Sequence, residues 1–194
     1  MQQKFRTCQK RNDWIKRNAA VQSRKCGPAA NGETMINRNL ERMIHLAEEF
    51  FEAKSDPDQI AVDENVIERL RAIHPNTMSE ERDGNGTIAW ILLIPTSNEL
   101  MMQFVERKIN EKDILARTVP GSRYEAIYLC SALVLPEYRK KGIAQRLAIA
   151  AIKAIQREHP LTSLFYWSFS SEGDRLADAV AKVTNLPLYK RVTE

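Results

Sequence analysis

LPEYRKKGIAQRL, Leu135–Leu147, decides how the rest of the chain is read. An almost wholly apolar run, IYLCSALV, leads into it, and AIAAIKAIQRE follows it with helical spacing. Pro136 cannot donate to a ladder, so a strand ends there. The chain then turns into a helix expected to begin near Lys141–Gly142. A helix N-terminus presents unpaired amides and about half a positive charge. Gly142 lets that backbone approach a ligand, Ala144 keeps the first turn clear, and Arg139, Lys140 and Lys141 add positive charge. The combination suits a phosphate group, most naturally a pyrophosphate. It is neither GxxxxGK[ST] nor GxGxxG, so the nucleotide loops that carry those signatures are not indicated.

Outward from this join, the pattern alternates helices and strands. A basic segment, residues 1–34, precedes a domain over 35–194. Residues 1–35 hold eight Lys or Arg against Asp13 and Glu33, a net +6. The whole chain carries +4, so the rest is slightly acidic and a nucleic-acid-binding domain is not expected. Ile36, Leu40, Met43, Ile44, Ala47, Phe50 and Phe51 fall on one helical face. KSDPDQ breaks that helix, and Val62–Ile73 forms a second, stopped at His74-Pro75. Thr77–Glu81 and Thr87–Pro95 make a hairpin about the DGNG turn at Asp83–Gly86. Asn98–Arg117 reads as a helix, Tyr124–Leu135 as a strand buried on both faces, and Gly142–Glu158 as a long helix. Thr162–Phe169, Glu172–Thr184 and Leu188–Val192 follow as strand, helix and strand. The fold class is therefore α/β, a mixed sheet with helices on both faces.

Three scattered cysteines give no disulfide framework, and a reducing, cytoplasmic setting is expected. The longest apolar runs are too short to span a bilayer, so no membrane association is expected. His45, His74 and His159 show no ligand spacing, and no metal site is expected.

The run Val134-Leu135-Pro136-Glu137-Tyr138-Arg139-Lys140-Lys141-Gly142-Ile143-Ala144 resembles the [QR]-x-x-G-x-[GA] motif, with its preceding V-x-P-x-[YFW], of the GNAT superfamily of N-acetyltransferases. The resemblance extends to the element order from about Met35 to Val192 and implies a GNAT-like, mainly antiparallel twisted sheet. It implies that acetyl-CoA serves as co-substrate, with its pyrophosphate on the amides of Lys141, Gly142, Ile143 and Ala144. Arg139 and Lys140 would screen the phosphates. The pantetheine arm would insert where the motif strand splays from the next, meeting the backbone of Leu133, Val134 and Leu135. An amide near Val134 would stabilise the oxyanion as an amine, on a small molecule or peptide, attacks the thioester directly. Transfer of a longer acyl chain, or a CoA-binding regulatory module without turnover, are the alternatives.

The acid and base depart from the family's habits. Where a Glu base often stands, this chain has Tyr128, and Glu125 would face the other side of a regular strand. The expected Tyr acid has only Tyr189 as a nearby candidate. Both tyrosines read equally well as packed aromatics of the sheet. Cys130 reads as core, and Ser170 and Ser171 as caps of the last helix. Four acids in SDPD and VDEN, between the first two helices, would border the acceptor or form a solvated loop. Pairing through the last strands would allow a homodimer.

Overall fold

The computed structural model describes residues 64–191 continuously, together with Asn39, Arg42, Met43, His45, Leu46, Gln59 and Ile60. The basic segment, Phe50 and Phe51, most of the SDPD–VDEN acids and the expected strand residue Val192 lie outside the described residues. Asn39, Arg42, Met43, His45 and Leu46 are helical, within the first expected helix.

The second helix, α1, spans Glu64–Ile73. A single 3-10 turn, Pro75–Thr77, leads into β1, Met78–Asp83, and β2, Gly86–Thr96. The turn between them works as the sequence requires: Gly86 takes φ 115°, and Asp83 Oδ1 accepts the Asn85 amide at 2.7 Å. The helix expected over Asn98–Arg117 is instead two, α2 (Asn98–Val105) and α3 (Glu111–Arg117). Helical periodicity runs through both, but Arg107 adopts φ 64° and Asn110 caps α3 in a capping box with Asp113. Then come β3, Ala126–Val134; a 3-10 turn, Pro136–Tyr138; α4, Ile143–Gln156; β4, Ser163–Trp167; α5, Ser171–Thr184; and β5, Leu188–Arg191. Ser170 caps α5 through its hydroxyl, as expected.

The strands lie in the order β1-β2-β3-β4-β5. Two antiparallel ladders, β1–β2 and β2–β3, are the longer; β3–β4 and β4–β5 are short and parallel. Both faces are buried along most of β4 and the first half of β3. On one face Phe104 of α2 sits edge-on to Tyr128 and Phe165, with ring centroids 5.0 and 5.8 Å apart. Arg191 of β5 stacks over Phe104 and Trp167, 4.5 Å from each ring centre. The opposite face is covered by α4, which packs on β1, β2, β3 and α5. The main core spans these layers, with Tyr128, Phe104, Phe165, Ile127 and Ile152 fully enclosed, and a smaller cluster gathers around Met43, Ile88 and Leu135.

Candidate functional site

β3 is paired on both sides along only half its length. Ala126–Leu129 match Ser163–Tyr166 of β4. Beyond Leu129 the ladder to β4 ends, while the ladder to β2 continues to Val134. The cause is local. Leu92 faces Ser131 and Leu93 faces Leu129, so Cys130 is an extra residue in β3 and makes a β-bulge. A bulge bends and twists its strand. β4 itself ends one residue beyond its ladder to β3, at Trp167, so the upper half of β3 borders a wedge with no strand paired to it on that side.

Which groups face the wedge follows from strand alternation. The Leu135 amide donates to Ile88 O at 2.9 Å, so Leu135 belongs to the β2 ladder. Leu133, two residues earlier and opposite Trp90, belongs to it as well. Val134 and Ala132 turn the other way. Of the three backbone positions expected to meet a pantetheine arm, Leu133 and Leu135 are thus taken up by β2, and Val134 alone faces the wedge. Ala132, which sequence reasoning missed, joins it; a one-residue bulge gives no sequence signal that would have revealed this. Arg139 folds back, and its Nε donates to Val134 O at 3.1 Å.

At the wedge's mouth lies the loop that the sequence reading expects to receive a phosphate. Lys140 takes φ 59° and Gly142 φ 71°, two left-handed turns that swing the chain into α4. Gly142 is the N-cap and, having no side chain, caps nothing, so the amides of Ile143 and Ala144 open the helix without a side-chain acceptor. A Cβ at Gly142 would meet only Arg146 Nη1, at 4.0 Å. The space above this glycine is open, and its left-handed φ is what demands glycine there. Lys141 Nζ lies 4.9 Å from the Tyr138 ring centre.

Side chains from three elements brace this loop. Tyr138 OH donates to Asp83 in the β1–β2 turn, and Asn39 Nδ2 donates to the same carboxylate at 2.9 Å. These bonds hold the Asp83 carboxyl below its usual range and push the Tyr138 hydroxyl up. Arg42 donates to both Glu137 oxygens, at 2.5 and 2.7 Å. That fork lowers the Glu137 carboxyl to about 2. Arg146 spans Lys141 O and the Glu81 carboxylate, at 3.0 and 3.1 Å.

The two candidate tyrosines are placed very differently. Tyr128 is fully enclosed, stacked on Phe165 and donating its hydroxyl to Glu111. Burial, then the Glu111 charge, pushes that hydroxyl well above its ordinary value. Tyr189 is 40% exposed on β5, opposite Phe165. Cys130 is half-buried, with Sγ 3.9 Å from Glu111 Oε1; burial and the same carboxylate raise its thiol well above the ordinary value. Glu111 itself was missed by sequence reasoning, which placed it inside one long helix.

His74 and His159 are not solitary in space. With Glu158 they bring three ligand-capable atoms within 4.8 Å of one another. His74 Nδ1 accepts the Asn76 amide at 3.1 Å and His159 Nδ1 accepts the Tyr124 amide at 3.4 Å. Nδ1 of each ring is thereby occupied, which leaves only Nε2 for a further partner. The buried His74 Nε2 points toward Glu158 Oε2, 3.6 Å away.

No described helix is long and apolar enough to cross a membrane. Residues 40–177 match the family model described as the acetyltransferase (GNAT) family. No curated protein and no solved structure gives a significant match to the chain.

Proposed function

From the premise that this chain belongs to the GNAT acetyltransferase family, whose chemistry is acyl transfer from acyl-CoA, we propose that it moves an acetyl group from acetyl-CoA to the amine of a small molecule or peptide. The reading rests above all on one observation: the β3–β4 ladder ends at Leu129, and the freed half of β3 leads directly into a helix start that no side chain caps.

Along this path each group has a task. The pyrophosphate sits on the amides from Lys141 to Ala144, where unpaired N–H groups and the helix dipole favour negative charge. Arg139, Lys140 and Lys141 add positive charge around it. The pantetheine arm lies along β3 as an added strand and bonds the backbone of Val134 and Ala132. To do so it displaces the Arg139 guanidinium from Val134 O. An amide on this free edge polarises the thioester carbonyl and takes up the oxyanion charge as the amine attacks. The C–N bond forms, the C–S bond breaks, and no acyl-enzyme intervenes.

The test is calorimetric titration of acetyl-CoA and of CoA into the wild type and into Gly142→Trp, followed by an amine panel with detection of the free thiol. Binding that the substitution abolishes, with thiol release only when an amine is present, is the expected result. Binding without thiol release would leave a CoA-binding module without turnover. Absence of binding to the wild type at millimolar ligand would remove the proposal altogether.

A further inference from the structure

A carboxylate within a core costs several kcal/mol unless donors surround it, and an apolar side chain of similar size would fill the space more cheaply. Glu111 is such a group. It opens α3, is 5% exposed, and lies on the sheet face that Phe104, Tyr128 and Phe165 line. Tyr128 OH and Cys130 Sγ approach its Oε1, and the Ile60 amide donates to Oε2 at 2.9 Å. Two of these neighbours flank Leu129, the last residue of β3 that pairs with β4. Cys130 is the bulged residue itself, so the carboxylate lies beside the point where the β3–β4 ladder ends.

We infer that Glu111 is the proton acceptor of the acyl transfer, held beside the end of the β3–β4 ladder by Tyr128 and Cys130. The inference rests on the acetyl-transfer reading. An ammonium acceptor gives one proton to the Glu111 carboxylate and becomes a free amine. The amine attacks the thioester carbon, forming C–N. As the tetrahedral intermediate collapses, C–S breaks, and the remaining ammonium proton passes to the departing thiolate. Glu111 then releases its proton to solvent, so one amide, one CoA thiol and one proton leave for each ammonium and thioester consumed. Tyr128 and Cys130 are positioning residues. Burial and the nearby carboxylate keep both protonated near neutral pH, and so both remain donors. Arg191 is the cation whose charge acts on the Tyr128 hydroxyl from β5, while its own bonds go to Phe104 O and Ile109 O.

The experiment is Glu111→Gln, assayed with amines of graded basicity across pH, beside acetyl-CoA titration of the same protein. Acetyl-CoA affinity is expected to stay near wild type, while kcat/KM for a basic amine falls roughly a hundredfold, the lower end of what a general base contributes. The deficit should shrink for amines already unprotonated at the assay pH, and the acid limb of the kcat/KM profile should move to the titration range of the amine itself. An equal deficit for every amine at every pH would make Glu111 merely structural and overturn the inference, as would undiminished turnover. Tyr128→Phe keeps the ring and removes one donor to the carboxylate. It should move the acid limb of the profile to higher pH, and an unmoved limb would also overturn the inference, even if Glu111→Gln does not fold. Failure of the wild type to bind acetyl-CoA would instead bring down the transfer reading beneath it.

Discussion

The two halves of β3 differ in what surrounds them more than in what they contain. Ala126–Leu129 and Cys130–Val134 are both short, mostly apolar runs. The first is hydrogen-bonded to strands on either side and contributes Ile127 and Tyr128 to the core. The second keeps β2 but loses β4, and its burial becomes mixed. One inserted residue, Cys130, separates a stretch that stabilises the fold from one that leaves backbone donors and acceptors open. Apolar content reports burial, whereas the register of pairing decides whether a strand has anything left to offer a ligand.

Two proline substitutions would break that comparison most sharply. Leu133→Pro removes an amide from the β2 ladder, where proline is not tolerated, and should unfold the sheet's centre. Val134→Pro removes the neighbouring amide, which faces the wedge. It should stay folded in denaturant titration, yet lose thiol release by about two orders of magnitude, the usual effect of removing one oxyanion donor. Equal destabilisation by both would mean that the Val134 amide is bonded within the sheet like that of Leu133, and that the wedge is not an open edge.

Gly142→Ala sharpens the comparison at the loop. The methyl group has room, so the expense is the left-handed φ alone, about 1–2 kcal/mol of stability. Thermal unfolding would measure it. Acetyl-CoA affinity should also fall, because the new methyl group would stand in the proposed pyrophosphate site. A stability loss with affinity intact would place the phosphates elsewhere on the loop.

The loop was legible in the sequence because all its parts are neighbours in the chain: Pro136 ends the strand, Arg139–Lys141 supply charge, and Gly142 supplies the turn. The order of strands and helices was legible for the same reason. The break between α2 and α3 was not, since a single left-handed Arg107 leaves the apolar period running through it. Glu111 was hidden by distance. Its partners Ile60, Tyr128 and Cys130 come from separate elements, and only the folded sheet brings them together. The meeting of His74 with Glu158 and His159 was hidden likewise. The bulge could not be read at all, because Cys130 has no feature that marks an extra residue in a ladder.

The smallest expected effect concerns the bracing of the loop rather than its chemistry. The Arg42 fork depresses Glu137 to about 2 from an ordinary 4.5. A carboxyl lowered on folding contributes stability above its unfolded value and loses it as pH falls through the folded one. The contribution should therefore be fully present above about pH 5 and fade toward pH 2. Asp83, lowered chiefly by the Tyr138 hydroxyl, fades in the same direction. Both Arg42 and Glu137 are about half exposed, so water and salt screen the pair and the effect is modest. Melting temperatures of the wild type and Glu137→Gln, compared from pH 7 down to pH 2, should differ at neutral pH and converge in acid. Molar salt should narrow the neutral-pH difference. A difference that survives both acid and salt would mean that Glu137 braces the loop by shape, and that the bond from Arg42 to the turn is not held by charge.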